Sequence, residues 1–219
     1  MKARLVLLNI CLLLVATPLW AQMEKASKER GWIDILPDEG FTKWTRVAIP
    51  PDKPLNPDSQ WKVDRASRSL ICEGNRGHEW LRYNREFGDA IFHVEWCFTK
   101  GEGLKGYNSG VFVRNDAEGR VWLQAQVGAG NDGFLFGQTL LDGKLTAIKF
   151  APKPKVSYIK PPGEWNTYEV RCLGPQVTLR VNGEESSEFA IPEVLKGYVG
   201  LEAEGFRIEF RNIRVKPLR

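Results

Sequence analysis

Residues 107–127 read YNSGVFVRNDAEGRVWLQAQV, and the alternation within them decides the fold. Successive side chains of a strand point to opposite faces. From Asn108 onward, Asn108, Gly110, Phe112 and Arg114 fall on one side, with Ser109, Val111 and Val113 on the other. After the turn Asn115-Asp116-Ala117-Glu118-Gly119, the return strand places Trp122, Gln124 and Gln126 on one side and Val121, Leu123, Ala125 and Val127 on the other. The spacing predicts a β-hairpin with one greasy face and one face of amides, an indole and a guanidinium. A solvated face is normally filled with Lys, Glu, Ser and Thr. Asn, Arg, Trp and Gln are flat and rich in hydrogen-bonding groups, as befits a surface that grips a ligand.

Outward from this hairpin the same two-residue period recurs. In Ala90 to Thr99, AIFHVEWCFT, Phe92, Val94, Trp96 and Phe98 alternate with Ile91, His93, Glu95 and Cys97. In Tyr198 to Glu204, YVGLEAE, Val199, Leu201 and Ala203 alternate with Gly200, Glu202 and Glu204. If these strands pair with the hairpin, His93, Glu95, Asn108, Arg114, Trp122, Gln124, Gln126, Glu202 and Glu204 line one surface. Further strands are expected at 61–64, 69–72, 80–82, 134–136, 165–173, 177–181 and 206–215, with Asn182-Gly183 as a hairpin turn. The outward residues of the last strands, such as Arg180, Arg207, Glu209 and Arg211, are ordinary solvated charges, which assigns those strands to an opposite, structural sheet. The Pro-rich stretch 40–61 is expected to be an extended loop. So is 140–162, rich in Lys and Pro, as a loop able to close over the polar surface. Helical periodicity is nearly absent, so the expected fold is an all-β, jelly-roll antiparallel β-sandwich.

The amino end has the form of a secretory signal peptide, residues 1–21: a basic start, an apolar run from Leu5 to Val15 and a small residue at Ala21. The run is short for a membrane span, so a single exported domain over 22–219 is expected, secreted or periplasmic, without stable membrane insertion. The lead-in from Met23 to Trp32 is either a short helix or flexible. Of the four cysteines, Cys11 lies in the signal, and Cys72, Cys97 and Cys172 fit free thiols better than a disulfide framework. A net charge of +4 with no basic run argues against a nucleic-acid partner. Eight Trp suit both cores and the apolar faces of sugar rings.

One ordered set of residues carries a family resemblance. Trp44, Phe87 to Trp96, Asn108-Ser109-Gly110-Val111-Phe112-Val113-Arg114, Gln126, Gly163-Glu164-Trp165-Asn166, Val181-Asn182-Gly183, Gly200-Leu201-Glu202 and Phe210-Arg211-Asn212-Ile213 together resemble the 3-keto-disaccharide hydrolase domain family. The likeness runs from about Ile33 to Pro217. It implies a concanavalin A-like sandwich, a bacterial exporter as host, and cleavage of glycosides already oxidised to a ketone at ring carbon 3. That ketone acidifies the C2 proton. A base removes it, the aglycone leaves from C1, and water adds back, which calls for a base, a stabiliser of the enolate oxygen and a proton source. The resemblance also implies, for some relatives, a divalent cation held partly by a late-strand His. This chain departs from the pattern there with Glu202 and Glu204, and again at Gln124, where Glu is common.

The candidate catalytic residues are therefore Glu95, Arg114, Glu202 and Glu204. Glu95 is either a general base or an ion-pair partner of Arg114. Arg114 is the donor to a developing oxyanion. Glu202 and Glu204 form a like-charged pair whose repulsion favours acid/base work or a cation. Asn108, Trp122, Gln124, Gln126 and His93 are the substrate-binding candidates, with Trp122 as a sugar platform and His93 as a ligand or proton shuttle. His78, in a Gly-rich loop, is given no role, and Trp165 and Asn166 are read as structural, with Trp165 in the core. A divalent cation is the candidate cofactor and a carbohydrate the expected partner. The competing reading is a non-catalytic, lectin-like carbohydrate-binding module.

Overall fold

The computed structural model describes residues 30–130, 132–149, 157–191 and 193–218. The expected signal peptide and residues 22–29 of the lead-in lie outside that range. The described strands are β1 (Ile33–Asp34), β2 (Trp44–Ala48), β3 (Trp61–Asp64), β4 (Ser69–Cys72), β5 (Glu79–Phe87), β6 (Ala90–Phe98), β7 (Asn108–Asn115), β8 (Trp122–Gly128), β9 (Leu135–Leu141), β10 (Lys144–Lys149), β11 (Asn166–Leu173), β12 (Gln176–Val181), β13 (Glu184–Ala190), β14 (Gly197–Ala203) and β15 (Ile208–Pro217). They form two antiparallel sheets. One runs β10-β9-β8-β7-β14-β5-β2, and the other β13-β12-β11-β6-β15-β4-β3 with β1 added beside β15. The fold is the all-β jelly-roll sandwich that the alternation predicts.

The greasy faces meet between the sheets. Val111 and Val113 of β7, Leu123, Ala125 and Val127 of β8, and Leu201 and Ala203 of β14 are buried against Phe92, Val94, Trp96 and Phe98 of β6, Tyr168 and Val170 of β11, and Phe210 and Ile213 of β15. Burying each of the larger of these side chains contributes on the order of 2 kcal/mol. Cys72 and Cys172 are buried and Cys97 half-buried, all unpaired. From Trp32 onward the chain is one compact unit.

Four local expectations are corrected. The loop expected over 40–61 contains β2, which pairs with β5 from Trp44 opposite Tyr83 to Ala48 opposite Glu79. The loop expected over 140–162 begins instead with β10, joined to β9 through Asp142 and Gly143, both at positive φ. This Asp-Gly pair is a tight-turn signal, and it makes β10 the outer strand of its sheet; residues 150–156 lie outside the described range. Trp165 is half-buried under the Arg211 guanidinium, 3.9 Å from its ring centroid, and is not a core residue.

The fourth correction moves β6. It pairs with β11 and β15, so it belongs to the sheet opposite the hairpin. Its apolar face is the predicted one, but its polar face looks away from the hairpin's. Register also breaks within β7. Tyr198 and Gly200 of β14 face Asn115 and Phe112, so β7 carries one extra residue, a bulge, with Arg114 at a φ of 56°. Past a bulge, the strand's side chains swap faces. Gly197 makes room for it, since a Cβ there would lie 2.6 Å from the Arg114 carbonyl carbon.

Candidate functional site

Across the outer face of the hairpin's sheet, neighbouring strands stack their polar positions into a hollow of about 330 Å³. Glu202 of β14 pairs with Trp80 of β5, and Gly110 of β7 with Gln126 of β8. The β5 alternation carries one residue further towards the amino end, so His78 shares the face of Trp80. Its carbonyl accepts a hydrogen bond from the Ile49 amide at 3.0 Å, continuing the β2–β5 ladder. Into the hollow project Asn108, Gln124, Gln126, His78, Glu202 and Glu204.

Glu202 is the hub. Only 3% exposed, it accepts from Gln124 Nε2 and is bonded to His78 Nε2, each at 2.8 Å. Its backbone carbonyl accepts from Ser109 Oγ at 2.8 Å. Glu204 stands 3.8 Å from the same imidazole nitrogen. The Gln124 bond crosses directly above Gly110, where a Cβ would come within 2.3 Å of Gln124 Nε2 and 2.6 Å of Glu202 Oε2. Gly110 is therefore a notch that lets β8 reach β14 over the top of β7. Further along, Gln126 Nε2 donates to Asn108 Oδ1 at 2.6 Å.

Burial pushes the Glu202 carboxyl up, the charge of Glu204 adds to it, and the bonds from His78 and Gln124 recover only part. Its pKa therefore stands above the ordinary carboxylate value. Burial works to lower His78, but its hydrogen bond to Glu202 and the charges of Glu202 and Glu204 outweigh it, so the imidazole holds its proton more firmly than usual. One donor atom each from His78, Glu202 and Glu204 lie within 4.8 Å of one another. One imidazole with two carboxylates is a donor set suited to a divalent first-row cation.

Of the expected site residues, Asn108, Trp122, Gln124, Gln126, Glu202 and Glu204 all line this hollow. Glu95, His93 and Arg114 do not. Glu95 lies on the outer face of the opposite sheet, bonded to Arg211 and Asn212. These hold its carboxyl below the usual value although burial pushes the other way. His93, on that same face, bonds Glu169 at 3.1 Å. Arg114, turned inward by the bulge, is 2% exposed, donates to the Val194 carbonyl at 3.0 Å and lies 3.5 Å from Asp89. Asn115 takes its place on the hollow. His78 is the residue that sequence reasoning missed, although its place two positions before Trp80 put it in phase with the polar face of β5. From just ahead of β5 it brings an imidazole against Glu202 and Glu204.

A jelly-roll sandwich whose outer sheet face carries carboxylates, an imidazole, amides and aromatic rings in one hollow is an architecture of glycosyl hydrolases and carbohydrate-binding modules. The chain belongs to the family described as the 3-keto-alpha-glucoside-1,2-lyase-like domain, whose profile matches residues 31–216. No curated protein sequence matches it. Among solved structures it is similar to a Parabacteroides distasonis protein provisionally assigned as a glycosyl hydrolase (TM-score 0.61, 16% identity, 89% of this chain and 97% of that one). It also resembles the carbohydrate-binding module CBM66 of Bacillus subtilis (TM-score 0.57, 14% identity, 80% and 96%). A third likeness is to the κ-carrageenase of Pseudoalteromonas carrageenovora, solved with an oligotetrasaccharide of κ-carrageenan (TM-score 0.54, 11% identity, 84% and 94%). At these identities the likeness is one of fold. Family and fold together place the protein among glycosyl-hydrolase-like domains and carbohydrate-binding modules.

Proposed function

We propose that the protein cleaves 3-keto-glycosides by C2 proton abstraction, elimination of the aglycone and hydration, in the hollow around Glu202. The observation that carries this reading is the convergence of His78, Glu202 and Glu204 within 4.8 Å at a concave, partly apolar site. Glu204, half-exposed at the mouth, is the base that takes the C2 proton. The electron pair left on C2 is delocalised onto the C3 oxygen and then expels the C1 oxygen. His78, held protonated against Glu202, donates to the departing oxygen, and water completes the hydrolysis at C1. The Gln126–Asn108 pair orients sugar hydroxyls. A divalent cation would be held by the same donors, His78, Glu202 and Glu204, and would supply positive charge for the oxygen that becomes enolate-like, with His78 and Glu204 then serving as ligands in place of the acid and base roles.

The test is release of reducing sugar from a 3-keto-disaccharide by wild type, His78→Ala, Glu202→Gln and Glu204→Gln. Removal of a group acting in proton transfer is expected to lower kcat/KM by about 10²–10⁴-fold. Full turnover in all three variants would refute the assignment. Saturable sugar binding without turnover by wild type would identify a binding module instead.

A further inference from the structure

The hollow has two chemically distinct halves, and the strand register sets their order. At one end, His78 just ahead of β5 and Glu204 just past β14 stand beside Asn108 of β7 and Gln126 of β8. Further along the strands rings take over: Trp80 stands two residues beyond His78, Phe112 four beyond Asn108 and Trp122 four before Gln126, with Glu202, Gly110 and Gln124 in between. Trp80 meets Phe112 edge-on at 5.5 Å, Phe112 meets Trp122 at 6.4 Å, and Trp122 meets Phe136 at 5.2 Å, the last two at 88°. This chain of rings from β5, β7, β8 and β9 lines the hollow. It crosses β14 only because position 200 is glycine: a Cβ there would come within 2.4 Å of Trp80 Cε3 and 2.6 Å of the Leu81 carbonyl oxygen.

We propose that the aromatic half is an aglycone subsite and that the preferred substrates are glycosides of phenols. The proposal rests on the reading that the sugar occupies the polar half. The size of the hollow, about 330 Å³, is near the lower bound of about 300 Å³ for small-molecule sites, so it suits a short glycoside and not a polysaccharide. A second sugar ring would turn several hydroxyls towards rings whose polar neighbours, the Gln124 and Asn115 amides, are already bonded to Glu202 and to the Leu123 N–H, and unpaired buried hydroxyls are costly. A flat apolar ring meets no such penalty and gains edge-to-face contacts with the existing chain.

The experiment separates this subsite from the chemistry by using unoxidised ligands. Calorimetric titration of the full chain with phenyl and methyl glucosides, in both anomers, needs no turnover. The phenyl glucoside is expected to bind at least about 10-fold tighter. The preference should shrink to about twofold or less in Trp122→Ala and in Phe136→Ala. Phe136→Leu, which keeps bulk and removes the ring, serves if an alanine variant loses its thermal transition. Equal binding of the two glucosides, failure of the phenyl glucoside to bind, or an undiminished preference in the ring variants overturns the proposal. Aryl preference with no cleavage of any 3-keto-glycoside leaves the subsite standing and overturns only the catalytic reading.

Discussion

Replacing Gly110 by alanine tests whether the hollow depends on a side chain of β8 reaching β14 across β7. The backbone itself takes alanine readily, because Gly110 lies in a strand and is not among the glycines at positive φ. Alanine in a strand interior is favoured over glycine by roughly 0.5–1 kcal/mol. Against this, the new methyl would sit 2.3 Å from Gln124 Nε2 and 2.6 Å from Glu202 Oε2. Both atoms are at the ends of side chains, so they part, and the bond between them is lost. A hydrogen bond to a charged group contributes about 1.5–3 kcal/mol. The difference is a net destabilisation of about 1–2 kcal/mol, equivalent to a Tm lower by roughly 2–8 °C for a domain of this size. Urea unfolding measures the first quantity and a thermal scan the second. Cleavage should fall in parallel, because Glu202 would then hold His78 without Gln124 to hold Glu202. Gly88→Ala is the control: a Cβ there meets nothing nearer than the Leu195 carbonyl oxygen at 3.7 Å, so its stability should change by no more than about 0.5 kcal/mol. A Gly110→Ala protein as stable and as active as wild type would refute the bridging role of Gln124 and the notch that permits it.

Glu95→Gln should leave cleavage unchanged, since Glu95 is on the far sheet, bonded to Arg211 and Asn212. Its pKa is depressed in the folded state, so its contribution is present above the ordinary glutamate value of 4.5 and lost as pH falls through the folded value. The stability gap between wild type and variant, about 1 kcal/mol or less for such a surface pair, should therefore open above that range and close below it in pH-dependent urea unfolding; a gap that widens in acid would contradict the pairing. Arg114→Met should cost about 1–3 kcal/mol by removing the hydrogen bond to the part-buried Val194 carbonyl. Turnover per folded molecule should be preserved, and a kcat loss in protein shown to be folded would return Arg114 to the active site.

Much of this molecule was legible in the order of its residues. Two-residue alternation is a property of any strand with one buried face, so the greasy sides of β6, β7, β8 and β14 could be read directly. So could the polar set Asn108, Gln124, Gln126, Glu202 and Glu204. His78 was legible in principle from its phase with Trp80, but the glycines around it disguised the end of a strand as a loop.

What the alternation does not carry is the partner of each strand. AIFHVEWCFT has the same two-faced pattern whichever sheet it joins, and only long-range pairing with β11 and β15 sends Glu95 and His93 to the far side of the sandwich. Nor does the pattern carry a break in register. Arg114 belongs by count to the face of Asn108 and Phe112. It turns inward because β7 spends one extra residue opposite β14, in a backbone conformation that arginine seldom adopts and that Gly197, far away in number but adjacent in space, leaves room for. Which residues have two faces is a local fact, written along the chain at short range. Which faces look at one another is decided by hydrogen bonds between segments distant in sequence, and those exist only once the sheets have assembled.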